Sequence, residues 1–516
     1  MAVSKPVGTH STEDTTAGAK RRKGQNGQSV PVKKSAAKKP ETKRATTAKK
    51  AAAAKKAVAA RPKKAAATKA KAPAKKPAAK KPAAKKPVAP KPVAKPEAAK
   101  AEPAAPQPAP FLKARTAPVH ALAQRASRNG VVFVFGNGDC GQLGLGEEMI
   151  ERKKPFAVPA LADVPVVDVA SGGLHTMALG ADGRLWSWGC NDQKALGRDG
   201  DEFTAALVQG LDGVRIARVV CSDSATFALA DDGHVYAWGT FRSAEGIMGF
   251  SASVLVQERP VVINAFREPV VDLCAGVDHA LALSVSGKIY AWGYGQQGQL
   301  GRLVMERRRL HGLTPERLRL HDVAHIGCGS YHSFAVTSDG TVYSWGLNNF
   351  HQLGLAPADG GAEDVVHEPA PVSALASAHI VKISGGEHHS IALSKDGVLY
   401  SFGRSDSHQT GLPFDTLPSE SAAGSNDEPS HKKAITAPTR IENAPPMADF
   451  VCGSNHNIAL TADGNAYTWG YGDMLQLGNG EEEDVEQPTL LQGQKIAGKT
   501  ILKVAAGGQH SAILAA

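Results

Sequence analysis

Residues 136–141 read Gly-Asn-Gly-Asp-Cys-Gly and follow the apolar run "VVFVF". This is G-x-G-x-x-G spacing with a strand before it, and such a loop can cradle a phosphate on its backbone N–H groups. A dinucleotide site also needs a helix to follow, because the helix N-terminal amides hold the pyrophosphate. Here the chain continues "QLGLGEEMIERKKP", with Gly144 and Gly146 in what would be the first helical turns, at a cost of about 1 kcal/mol each. Gln142 stands where a P-loop places its lysine. Nucleotide binding by this loop is therefore not expected. No Ser-His-Asp order, paired carboxylates or metal-ligand spacing stands out elsewhere, and His388-His389 alone does not make a metal site. Neither a catalytic centre for covalent chemistry nor a cofactor is expected.

The loop makes sense as one copy of a repeat. The aromatic–Gly ending of "VVFVFG" recurs in "LWSWG", "VYAWG", "IYAWG", "VYSWG", "LYSFG" and "AYTWG", with glycines at 136, 189, 239, 293, 346, 403 and 470. Seven copies about fifty residues apart indicate a repeat architecture. Each copy runs in the same order: a small-residue stretch such as "SGGEHH", an apolar run, a tight turn such as "ADG" or "SDG", the aromatic strand, a Gly-rich loop and a Pro-bearing segment. Asp-Gly between apolar runs is a hairpin signal, because the turn needs positive φ. Four short strands per copy describe a propeller blade. The opening glycines then belong to the loop after the aromatic strand, where "QLG" inserts Leu143, Leu196, Leu300, Leu353 and Leu477 between blades. The first copy lacks its leading hairpin half and the last, "AAGGQHSAILAA", lacks its aromatic strand, so the two ends are expected to complete one blade. The expected fold is an all-β, seven-bladed β-propeller over 126–516, closed by pairing of N- and C-terminal strands, after a disordered basic tail at 1–125.

Composition sets the tail apart. Residues 1–110 hold 29 basic and 5 acidic residues and no Phe, Trp or Tyr, so the remainder of a chain with net charge +11 is itself net −13. A Lys/Ala/Pro-rich segment without aromatics cannot bury enough apolar surface to order itself. Two readings are open, a solvated linker or a polyanion-binding tail, and long blocks of one charge favour the second, with DNA as the usual polyanion. The "AAKKP" repeats resemble linker-histone tails. Lys20, Arg21, Arg22 and Lys23 form one candidate nuclear localisation signal. Six cysteines without a C-x-x-C pair suit a cytosolic or nuclear protein. No apolar stretch suggests secretion or membrane spanning.

The phrases "GDCGQLGLGEEMIERKKP", "WGCNDQKALGRD", "GYGQQGQLGR", "GLNNFHQLG" and "AAGGQHS" resemble the regulator-of-chromosome-condensation family over about 130–516. That family consists of chromatin-bound propellers acting as guanine nucleotide exchange factors for the small GTPase Ran. The resemblance implies one propeller face docking on nucleotide-free Ran, with a β-wedge pressing on the phosphate loop of the GTPase. "WGTFRSAEGIMGF" matches the wedge and assigns Phe241, Arg242, Ser243, Ala244, Glu245, Gly246, Ile247 and Met248 to it; an ordinary inter-blade loop is the other reading. Asp278 in "AGVDHA" and His388 in "SGGEHH" match the family's principal acidic and histidine positions. Asp139, His175, Asp223, Arg302 and His510 match further Ran contacts. Histidine recurs in the copies at 175, 279, 332, 388, 456 and 510, so each is open to a structural reading, hydrogen-bonding between blades, as well as a functional one. For nucleosome and DNA binding the resemblance points to Arg307, Arg308 and Arg309, whose alternative is a solvated charge run, and to the basic tail. It implies a nuclear import receptor as a further partner and a nuclear, chromatin-associated location.

Two departures stand out. The small-residue loop of one copy reads "CSDSA", keeping Asp223 but placing Ser222 and Ala225 where the family has Gly and His. The copy around Gly403 carries "GRSDSHQTGL" and a long polar insert near 415–435. The altered loop leaves a second functional reading open, a chromatin-bound propeller scaffold without exchange activity.

Overall fold

The computed structural model describes residues 107–111, 119–413 and 434–516. Seven four-stranded antiparallel sheets make up the blades of a closed β-propeller. Blade 1, the first contained in one stretch of chain, runs Val166–Ser171, His175–Gly180, Leu185–Gly189 and Ala206–Leu207. The turn joining its second and third strands carries Gly183 at φ +86°, the left-handed conformation the Asp-Gly pair supplies. Second strands are buried from end to end in six blades, as in His175–Gly180 and His279–Ser284. Each is covered on both faces by neighbouring blades. The seventh sheet takes Ile501–Ala506 and His510–Ala515 from one end of the sequence and Val131–Asn137 and Glu151–Ala157 from the other. Val134 pairs with Ala512 across that seam. Closure leaves no open sheet edge between the first and last blades.

The recurring "QLG" has a packing explanation in all three residues. Leu143, Leu196, Leu300, Leu353 and Leu477 are buried between blades. Gln142, Gln299, Gln352, Gln409 and Gln476 are fully buried, and each side-chain oxygen accepts the N–H two residues earlier, closing the loop on itself. The glycine lies against the aromatic ring of the next blade: a Cβ on Gly144 would come within 2.8 Å of Trp188, and one on Gly478 within 2.6 Å of Phe135. The opening glycines are thus backbone geometry, with Gly136 at φ +110° and pressed on the Gln509 carbonyl.

A belt of histidines bolts the blades together. The imidazole at the start of one second strand bonds the hydroxyl or amide of the next blade: His175 to Thr226, His279 to Ser333, His332 to Ser390, His389 to Asn457, His456 to Ser511 and His510 to Thr176, at 2.7–2.9 Å. Burial pushes His175 and His389 down to about 4 and His456 and His510 to about 3, and lowers His332 likewise, which holds these five rings neutral. The position in blade 5 is His389, so the repeat assignment of His388 is corrected: the first histidine of the pair belongs to the loop and the second starts the strand.

The inner strands carry a ring of charged or titratable residues at their third position: Asp168, Arg218, Asp272, His325, Lys382, Asp449 and Lys503. Arg218 pairs with Asp272, and Lys382 with Asp449. Ala123, Gln124 and Ala126 of the entering chain help line the central cavity of about 520 Å³.

Candidate functional site

In an antiparallel blade the connection between strands one and two and that between strands three and four lie at the same end. The small-residue loops and the Gly-rich loops therefore form one face, centred on the mouth of the channel. Two residues before each second strand vary between blades, and they give this face its chemistry. They are Asp223 in blade 2, Asp278 in blade 3, Tyr331 in blade 4, and Glu387 with His388 in blade 5. Asp278 and His388 occupy the same position in their blades, each directly preceding the buried belt histidine.

The carboxylates crowd one another. Asp223 is pushed up to about 7 by desolvation among the surrounding loops, reinforced by Asp278 and Glu387. Asp278 is pushed up to about 6 by burial, against the opposing pull of Arg242. His388 is half-buried, with Phe350 4.8 Å and Tyr331 6.3 Å away between ring centres and Glu387 at 3.8 Å from Nε2. Burial lowers its basicity while Glu387 raises it. Arg404 lies over the Phe350 ring and is held bidentately by Asp406.

Beside this mouth, residues 241–249 form a separate two-stranded hairpin, Phe241–Ser243 with Gly246–Gly249. It is inserted between the third and fourth strands of blade 2, Val235–Gly239 and Gln257–Val262, in place of a "QLG" loop. Phe241 and Met248 root the hairpin in the core, while Ile247 is 50% exposed near its tip. Arg242 donates its backbone N–H to Asp278 Oδ1 at 2.5 Å, so the hairpin is tied directly to the acidic loop of blade 3.

The "CSDSA" departure follows from this insertion. At the other six junctions the hydroxyl or amide that meets a belt histidine also donates to a carbonyl of the preceding blade's Gly-rich loop, as Ser333 does to Gln299 and Thr226 to Ala195. Blade 2 has a hairpin where that carbonyl would be. The two polar positions that depend on it are Ala225 and Ala280, both buried and both in the apolar cluster containing Phe227, Phe241 and Trp292. The Phe227 and Phe241 rings lie 5.9 Å apart, and Phe227 meets Trp292 edge-on at 5.6 Å.

The other expected residues divide. Asp139 is exposed on the Gly-rich loop of blade 7. His175 and His510 do not reach the face: they are 1% and 0% exposed and are spent on the belt, which corrects their assignment as direct contacts. Arg302 is turned inward onto Glu316 at 3.3 Å and the Thr314 carbonyl. The arginine loop is a kinked 3-10 segment, Glu306–Leu313, with Arg307 and Arg308 exposed and Arg309 half-covered. Lys20, Arg21, Arg22 and Lys23 lie outside the described residues, as does most of the insert near 415–435. Reading the sequence did not single out Tyr331 or Glu387. Aligning the copies on the second strand, not on the histidine pair, would have put both in the variable columns. Among the described residues no group of three or more His, Cys, Asp or Glu is placed to hold a metal.

The model of the RCC1-like domain matches residues 131–513. The chain is 40% identical over 403 residues to protein pim1 of Schizosaccharomyces pombe, covering 74% of each. It is 37% identical to guanine nucleotide exchange factor SRM1 of Saccharomyces cerevisiae, over 74% of this chain and 86% of that one. Among solved structures it is similar to Prp20p from Saccharomyces cerevisiae, described with its binding properties to Gsp1p and histones, at 37% identity and TM-score 0.71, covering 76% and 93% of the two chains. A structure of Kap60 bound to yeast RCC1 (Prp20) matches at 36% and TM-score 0.72, covering 79% and 95%.

Proposed function

The chain belongs to the RCC1-like domain family, and from that premise we propose that it is a guanine nucleotide exchange factor for the small GTPase Ran, working on chromatin. The exchange function agrees with the relatives' names. The observation that carries the assignment to this face is the hairpin tied at Arg242 to Asp278, beside a mouth lined by Asp223, Glu387 and His388. No bond needs to be made or broken. Exchange is differential binding: a surface that fits empty GTPase better than nucleotide-loaded GTPase lowers the barrier to GDP release. Each element has a part in that reading. The acidic mouth attracts a basic partner surface and speeds encounter. The hairpin, rooted by Phe241 and Met248, is the wedge that occupies the nucleotide pocket's edge. Asp278 fixes the wedge and His388 contributes from the equivalent position of blade 5. Asp139 extends the contact on the blade 7 side. His175 and His510 shape the face from within, through the belt.

Arg307 and Arg308 suit carboxylate clusters on a histone surface, because guanidinium forks pair well with them. The basic tail would add DNA contacts and an import-receptor signal. Together these imply a nuclear, chromatin-associated protein. The test is release of fluorescent GDP from purified Ran by catalytic amounts of residues 119–516. Acceleration lost in Asp278→Ala supports the reading; a folded propeller that gives no acceleration refutes it and leaves the scaffold alternative.

A further inference from the structure

The wedge is small for a lever. Its strands are three and four residues long and pair only with each other. A two-stranded ribbon of this kind is marginal without outside support. The root has support from Phe241, Met248 and the Arg242–Asp278 bond. Among the described residues, the ion pair at the tip is with the arginine loop. Arg309 donates from Nη1 to Glu245 Oε2 at 2.6 Å, and the same guanidinium is held by Glu306 at 3.2 Å. The far end of that loop is pinned under the wedge. Leu313 shares a core cluster with Phe241 and Met248 and would touch a Cβ at Gly249 at 3.4 Å. Gly312 packs so closely on the Gly293 carbonyl that a Cβ would sit 2.5 Å from it. Residues 306–313 therefore run from the floor of blade 3 to the wedge tip as a strut.

We infer that Arg309 is a positioning residue for the wedge, acting through Glu245, and that it differs in this from Arg307 and Arg308, which project into solvent. The inference rests on the exchange reading for its consequence but not for its geometry. Glu306 already restricts the Arg309 side chain, so less freedom is lost in holding Glu245 than an isolated exposed pair would lose. A wedge held at both root and tip enters the partner preorganised, which should raise the maximal exchange rate and leave the half-saturating GTPase concentration nearly unchanged.

The test uses the full chain and two readouts. Backbone amide hydrogen exchange of residues 241–249 in the free protein should quicken about two- to fivefold in Arg309→Glu and in Glu245→Arg, the range an exposed ion pair supplies. It should return towards wild type in the doubly swapped protein. GDP release from Ran should show the same pattern in the maximal rate. Arg440→Glu, a surface pair on blade 5, controls for the charge change. Unchanged wedge protection in Arg309→Glu, or a loss the double swap does not recover, overturns the inference. If wild type fails to accelerate GDP release, the exchange reading fails, and the hydrogen-exchange arm still decides whether Arg309 braces the hairpin.

Discussion

Ala225 and Ala280 occupy, at the junction of blades 2 and 3, the two positions that hold a histidine and its hydroxyl or amide partner at the other six junctions. Both are buried in the cluster from which the wedge rises. The polar bolt is absent at the one junction where its acceptor loop has become a hairpin, and aromatic packing takes its place. Ala225→His would put an imidazole into filled space opposite a methyl group. Overpacking and an unpaired buried ring together should cost at least about 1–3 kcal/mol, read as a fall in the denaturation midpoint. A gain in stability would show that the junction tolerates the bolt.

Asp278→Ala removes the carboxylate that accepts the Arg242 N–H. Hydrogen bonds to charged groups contribute about 1.5–3 kcal/mol, so GDP release from Ran should slow by roughly 10- to 100-fold if the wedge must be fixed for exchange. Thermal stability should move less than the rate, because removing Asp278 also removes the desolvation cost of its half-buried carboxylate, which offsets the lost bond. Circular dichroism melting alongside the kinetics separates the two.

Asp223 and Asp278 carry raised pKa values, about 7 and about 6, from an ordinary carboxylate near 3.8. Between the unfolded and folded values the native state binds the extra proton, so these groups favour folding at low pH and lose that contribution as pH rises through about 6–7. Asp223→Asn should therefore raise the melting temperature at pH 8, and the difference from wild type should shrink by pH 5. Exchange has the opposite sign: the charged forms attract the partner, so the wild-type rate should fall as pH drops from 8 to 6.

The histidine belt acts in the other direction. His175, His389, His456 and His510 are buried neutral, with pKa values of about 3–4. Their contribution is complete above the unfolded value near 6.5 and is lost as pH falls towards those folded values. Melting temperature should fall steeply on acidification below pH 6. His456→Ala, which empties a buried site and leaves Ser511 only its bond to the Gln476 carbonyl, should cost about 1–3 kcal/mol at pH 7.5 and reduce the acid sensitivity. An unchanged pH profile in that variant would mean the belt does not control it.

The tail makes a separate prediction. Residues 1–110 carry a net charge of +24. DNA binding by the full chain should weaken by about 10³ or more between 50 and 200 mM salt if six or more phosphates are neutralised. Residues 119–516 should bind far less tightly at the lower salt. Binding that ignores salt in a fluorescence anisotropy titration would remove the counterion-release account.

Seven blades, their hairpins and the closing sheet could be read in the sequence, because each rests on local patterning. Aromatic–Gly strands, Asp-Gly turns and "QLG" recur with their own chain neighbours, and the two half-copies pair with each other. The wedge was legible as a departure from the repeat. Tertiary packing decided what depends on the next blade. His388 and His389 are adjacent and chemically identical, yet one lies at the channel mouth and the other bonds Asn457, 68 residues away. Three consecutive arginines looked alike until Arg309 met Glu245, 64 residues back. Ala225 read as a lost histidine, when its neighbour across the junction had no group left for a histidine to bond. Spacing along the chain fixes strands and turns, but the partner of a buried polar group and the proton affinity of a crowded carboxylate depend on which blades lie side by side.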